Sequence, residues 1–348
     1  MVWNWIRSRL GARRPNGSTP GAGTAPLWSA NSEAKRFQIR AVYADLRMKQ
    51  LIQAGDHYRY AFNDFRDDLR REPAETVRTL AQATFFAHPD LAPAYLLHRN
   101  GYVRQASIAA MTVEHLSAFA LLLLFFRCND WVEPVRHDAL EKVLALLPEA
   151  PSHMLESVLP ILVRRAPSWT RYRRHATAPP VDLLDRALEV PQLQQAAIDS
   201  LAAMQFGPTT RIFYRLARYD WLDPHLESLP RSARTIGVRR AAMAALLQGK
   251  VRWQTGPRCK AEPMVRVLTV ETNRGKLFRQ AAGDPAATIR ALAADALIRQ
   301  GPDAFPAEDW RPLTQDKRPA VHARMSFFHR KWVTDDVPDY LTDARQAD

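Results

Sequence analysis

Between residues 33 and 332 apolar positions recur with the 3.6-residue period of amphipathic helices, in stretches separated by Pro, Gly or Asp. Tyr58, Phe62, Phe65 and Leu69 fall at i, i+4, i+7 and i+11, a narrow apolar face on a segment otherwise carrying Arg59, Asp64, Arg66, Asp67, Asp68, Arg70 and Arg71. The most apolar run, Leu116–Phe126, is 11 residues long. A bilayer span takes about 20, so this run predicts a helix buried on all sides and no transmembrane segment. No strand pattern competes, and the expected class is all-α.

One pattern recurs. Asp130, Asp284 and Asp316 each stand five positions before a β-branched residue: Val135, Ile289 and Val321. Each Asp is placed to cap an incoming helix by accepting backbone N–H groups. Pro134, Pro285 and Pro319 suit a first helical turn or its linker, and the β-branched residue begins the buried stripe. Arg136 and Arg290 follow that residue directly, whereas His322 takes the place in the third copy. Weaker copies are Val77-Arg78 with Ala81, Val238-Arg239 with Ala242, and Leu193-Gln194 with Ala197; Val103-Arg104 with Ala106 is a shifted variant.

These residues resemble the second helix of HEAT repeats, the bacterial HEAT-like class included, with Asp284-Pro285, Ile289-Arg290, Ala293 and Leu297 as the best match. The resemblance implies a right-handed α-solenoid of helix pairs, in which the Asp ends the turn between helices and the Arg bonds neighbouring turns. Asp130, Arg136, Asp284, Arg290 and Asp316 would then be structural repeat residues. The anchors at 77, 103, 135, 193, 238, 289 and 321 are separated by 26, 32, 58, 45, 51 and 32 residues. HEAT units run to about 40–47, so the array is irregular and fits no named subfamily. The expected organisation is a flexible basic tail over 1–30, an atypical N-terminal helical cap over 31–72, the repeat array over 73–332 and an acidic tail over 333–348.

Charge narrows the choice of partners. Of the formal +13, six units fall in residues 1–40 and eight in residues 221–300. The opening segment sets Trp3, Ile6 and Leu10 on one stripe with Arg7, Arg13 and Arg14 elsewhere, a pattern able to touch a membrane surface or a partner. The Gly/Pro/Ser/Thr stretch over 15–26 follows as a linker, and the order of charges and apolar residues is not that of a secretory signal. Cys128 and Cys259, the two cysteines, lie far apart and outside any CxxC pattern. They build neither a disulfide framework nor a zinc site, which makes a reducing cytoplasm the expected compartment.

No phosphate loop, nucleotide-binding glycine pattern, GxSxG elbow or HExxH occurs. The aspartate clusters Asp67-Asp68 with Glu72 and Asp335-Asp336 with Asp339 lack a rigid inward face, the histidines do not pair at i, i+4, and Cys128 reads as a packed thiol. No catalytic residue, metal or cofactor is expected. Two surface segments remain. Arg164, Arg165, Arg171, Arg173 and Arg174 surround Trp169 and Tyr172 in what reads as an inter-helix loop. Residues 231–279 hold twelve basic residues against Glu262 and Glu271, and their Gly/Pro-punctuated centre reads as a loop placing Trp253 among Lys250, Arg252, Arg258 and Lys260, with Arg240 nearby. Arginine forks and aromatic planes hold phosphates and stack bases. The first functional expectation is nevertheless a non-enzymatic binding or scaffold module for a protein partner. The alternative is a nucleic-acid-binding protein using this Arg/Trp ridge, with base chemistry like that of the DNA-alkylation glycosylases that share the resemblance.

Overall fold

Ser117 accepts the amide of Ala120 at 3.0 Å and so caps the helix that the apolar run forms, Ala118–Arg127. From Ala120 to Phe125 every side chain is fully buried. A fully buried Leu or Phe stabilises by about 1.5–3 kcal/mol, and such a helix has no face to spare for solvent. The computed structural model to which it belongs describes residues 72–175, 182–254 and 263–332. The expected N-terminal tail, all but the last residue of the expected cap, the amphipathic helix around Tyr58 and the acidic tail over 333–348 lie outside the described residues. The described chain is predominantly helical, and none of its helices is long and apolar enough to cross a membrane.

The chain divides into two units, residues 1–196 and 197–348. In the first, the described helices are α1 (Ala74–Ala87), α2 (Ala92–Tyr95), α3 (Gly101–Ala110), α4 (Ala118–Arg127), α5 (Glu133–Leu146), α6 (Ser152–Arg165), α7 (Thr170–His175) and α8 (Leu183–Ala187), followed by the start of α9 (Pro191–Ala203). Helix α3 packs against both α1 and α5, while α4 packs against α5 and α6. Their starts are chemically marked. Asn100 accepts the Tyr102 amide at 2.9 Å before α3, and Asp182 and Asp185 form a reciprocal capping box on α8.

The second unit contains α10 (Thr209–Leu216), α11 (Leu229–Ser232), α12 (Ile236–Gln248), α13 (Arg274–Ala282), α14 (Ala287–Gln300), α15 (Ala307–Thr314) and α16 (Pro319–Trp332). Helices α12, α14 and α16 pack in succession as one row, and α13 and α15 pack on each other as a second row. Between α12 and α13 lies an antiparallel hairpin, β1 (Lys250–Trp253) and β2 (Met264–Val267). The expected loop around Trp253 is therefore corrected over Lys250–Trp253. Gly249 ends α12 in the left-handed region, φ +64°, and its carbonyl accepts the Leu268 amide at 3.0 Å. The chain is turned straight into a ladder in which Val251 is buried and Arg266 reaches an acid.

That acid is Asp223, whose side chain is fully buried. Arg266 grips both its oxygens at 2.7 Å, Thr269 adds its amide at 2.8 Å and its hydroxyl at 3.0 Å, and the same guanidinium donates to the carbonyls of Ala217 and Tyr219. Burial alone would raise the Asp223 carboxyl, but these hydrogen bonds and the Arg266 charge outweigh it and hold it below the ordinary range. One ion pair thus fixes the hairpin to the segment after α10.

Candidate functional site

The three recurring aspartates share a geometry that the spacing only partly foretold. Asp130 accepts the amide of Val132 at 3.0 Å, Asp284 that of Ala286 at 2.8 Å and Asp316 that of Arg318 at 2.9 Å. Val132 and Ala286 are themselves the N-cap residues of α5 and α14, so the first two acids fold the turn before the helix and do not cap it. The remaining carboxylate capacity takes an arginine from the helix one step earlier in the row. Arg104 of α3 donates to Asp130 at 2.7 Å, Arg239 of α12 to Asp284, and Arg290 of α14 to Asp316 at 2.6 Å. A second arginine, Arg127, also reaches Asp130, at 2.6 Å.

Arg104 and Arg290, and with them Arg136, also bind their own turns. Arg104 donates to the carbonyl of His98, Arg136 to that of Asp130 and Arg290 to that of Asp284, each at 2.8 Å, while Gln194 does the same to Leu188 at 2.7 Å. All four bonds span six residues. His322 makes no corresponding bond among the described residues. Arg104 and Arg239, seen in the sequence only as weak copies, are full members of the ladder.

The first Arg/Trp segment spans a helix end, a short 3-10 turn and α7, so its reading as one loop is corrected. Arg164 and Arg171 are exposed, and Arg165 and Tyr172 are half-buried. Trp169 is buried, packing on Phe126 at 5.4 Å between ring centroids. The expectation of an open stacking plane fails there, because the apolar end of α4 claims the ring. The amides of Arg171 and Tyr172 are held by Asn129 at 3.0 and 3.2 Å. Arg173 and Arg174 lie in α7, and their side chains are outside the described set.

A cavity of about 450 Å³ opens beside this segment, lined by Cys128, Glu133, Pro134, Arg136, His137, Asp138, Leu140 and Tyr172. Burial pushes the Cys128 thiol up, and the Tyr172 phenol is pushed up to about 12, mainly by burial. Near neutral pH the Tyr172 phenol stays protonated, and so does the Cys128 thiol, which is fully buried behind the wall and donates to the carbonyl of Leu124. At its rim His137 Nδ1 stands 3.9 Å from Asp138 and 3.8 Å from Glu141, donors of the kinds that hold divalent cations. A search for paired histidines overlooks this grouping, since its i, i+4 partner is Glu141. His137 and Glu141 are each 69% exposed and Gln105 occupies Asp138 at 2.8 Å, which is the arrangement of a solvated helix face.

In the second segment, four of the ten described basic residues are spent inside the unit. Arg239 binds Asp284, Arg266 binds Asp223, Lys276 binds Glu227 at 2.6 Å and Arg279 binds Asp309 at 2.7 Å. Arg240 and Arg252 are exposed and Lys250 half-buried, with no acid partner among the described residues. Trp253 is half-buried with the Arg218 guanidinium 5.8 Å from its ring centroid. Arg258 and Lys260 lie outside the described residues.

His329 of α16 is 6% exposed, and neither ring nitrogen has a hydrogen-bond partner among the described residues. Burial lowers its pKa. The unfolded chain, with an ordinary value of about 6.5, then binds a proton that the folded chain refuses. Stability is full above about pH 6.5 and falls as the pH drops towards the lowered folded value. Melting the wild type and His329→Phe at about pH 7.5 and about pH 5.5 should show a smaller acid shift in the variant. Equal shifts would exclude His329 as a source. No family model and no curated protein sequence matches the chain.

Proposed function

We propose that the chain is a non-enzymatic binding or scaffold module, a right-handed α-solenoid of HEAT-like helix pairs that recognises a protein partner along its helical surface. The observation that carries this reading is the set of links from Arg104, Arg239 and Arg290 to the aspartate of the following turn, found in both units. Bonds of this kind tie each helix pair to the next, and stacked pairs expose a long continuous surface for recognition. Large apolar side chains stand in water in each unit: Phe86 and Trp131 are 92% and 63% exposed in the first, and Phe206 is 84% exposed in the second.

The second reading, nucleic-acid binding, is favoured by Arg240, Lys250 and Arg252, which lack acid partners among the described residues. Against it stand the buried Trp169 and the four cations already paired. Fluorescence anisotropy with duplex and single-stranded DNA, followed against salt, separates the two. Protein recognition predicts no saturable binding at about 50 mM salt, and crosslinking in cells that yields a stoichiometric protein partner. Tight DNA binding with a log–log salt slope of several units, about 0.9 per phosphate contacted, would overturn it.

A further inference from the structure

The hairpin has one committed side and one open side. Leu268 donates to Gly249, which sets the phase of the ladder, and the antiparallel alternation makes Val251 with Arg266 and Trp253 with Met264 the bonded pairs. Val265 and Val267 therefore aim their amides away from β1. No described strand pairs with that edge. The side chains divide the same way. Val251 is buried and Arg266 runs to Asp223, whereas Val265 and Val267 are 50% and 71% exposed and lie directly opposite Arg252 and Lys250. Met264, on the anchored face, is itself 51% exposed at the tip. The two strands carry three cations, Lys250, Arg252 and Arg266, and no acid.

We propose that β2 is a docking edge for an extended segment of a partner protein in which acidic residues alternate with apolar ones. The segment adds to β2 as a third strand. Its main chain takes the outward amides of Val265 and Val267, and its acidic side chains share the face of Lys250 and Arg252, long stems from both sides meeting over the short valines across two strand spacings, about 9.6 Å. Its apolar side chains lie on the face of Met264. A second copy of this chain would bring another β2, which offers no acid to meet Lys250 and Arg252. This inference rests on the protein-recognition reading and names the chemistry of the partner.

The test uses the full chain and a fluorescein-labelled peptide of alternating Glu and Val, with a Lys–Val peptide of equal length as control. Val265→Pro removes an outward amide and leaves the bonds to β1 intact. The paired substitution Lys250→Glu with Arg252→Glu reverses the charge of the open face. The wild type should bind the Glu–Val peptide saturably and the Lys–Val peptide at least about tenfold more weakly, a difference of roughly 1.4 kcal/mol. Both variants should lose about tenfold or more for the Glu–Val peptide, with circular dichroism as the check on folding. Equal binding of the two peptides, or unchanged binding by the charge-reversed variant, would overturn the proposal even if Val265→Pro failed to fold. A wild-type dimer in sedimentation that Val265→Pro turns to monomer would assign the edge to a second copy and overturn it likewise. If a crosslinked protein partner is kept by both variants while peptide binding fails, the edge proposal falls and the broader reading stands.

Discussion

Asp130→Ala is expected to destabilise the first unit by about 3–5 kcal/mol, the cost of breaking a buried ion pair from one side. The acid is fully buried, and its partners Arg104 and Arg127 are 2% and 9% exposed, so its removal takes the counter-charge from two buried guanidinium groups and the acceptor from the Val132 amide, while Arg104 keeps the carbonyls of His98 and Arg99. At the link of Arg290 to Asp316 the arginine side chain is 20% exposed and water can take over, so Asp316→Ala should cost clearly less. Urea unfolding of the two variants in parallel checks the order. A loss at Asp130 no greater than that at Asp316 would remove burial as the reason for the difference.

Asp223→Ala should release the hairpin. Arg266 would keep only its carbonyl partners at Ala217, Tyr219 and Val267, and Thr269 would lose both of its bonds to the acid. The expected loss is about 2–5 kcal/mol. It should be concentrated as faster amide exchange over 250–253 and 264–269, with α14 and α16 much less affected. Acid should mimic the substitution. Because the folded carboxyl sits below the unfolded value of about 3.9, its contribution is complete above that pH and is lost as the pH falls through the lower folded value. Hairpin exchange in the wild type should therefore rise only below about pH 4. An unchanged hairpin in the variant would show that the helices alone hold it.

What could be read from the chain beforehand followed the range of the physics involved. The buried helix α4 was plain because the nine residues Ala118–Phe126, without one polar side-chain atom, can only be inside. Asp130, Asp284 and Asp316 were visible because their spacing to the β-branched residue is local and fixed, although they read as helix caps and instead bond the amide two residues on. The resemblance singled out Arg290, but which arginine meets which aspartate was not visible, since the links span 26, 45 and 26 residues and no local pattern records them. Arg104 was hidden further by an alanine displaced one place from the consensus. Strands of four residues are too short for alternation to stand out, so β1 was lost among the Gly and Pro that flank it. Trp169 was misjudged because its neighbours in sequence are cationic, while its neighbour in space is Phe126.

Cys128 gives the first unit an internal clock. Its thiol is fully buried and is held protonated by that burial, so a thiol reagent must wait for α4 and α5 to part. Labelling read at this position by mass spectrometry then measures how often the packed interior opens, without any probe having been introduced. Carried out on the Asp130 variant, it would report as a rate what unfolding reports as a free energy.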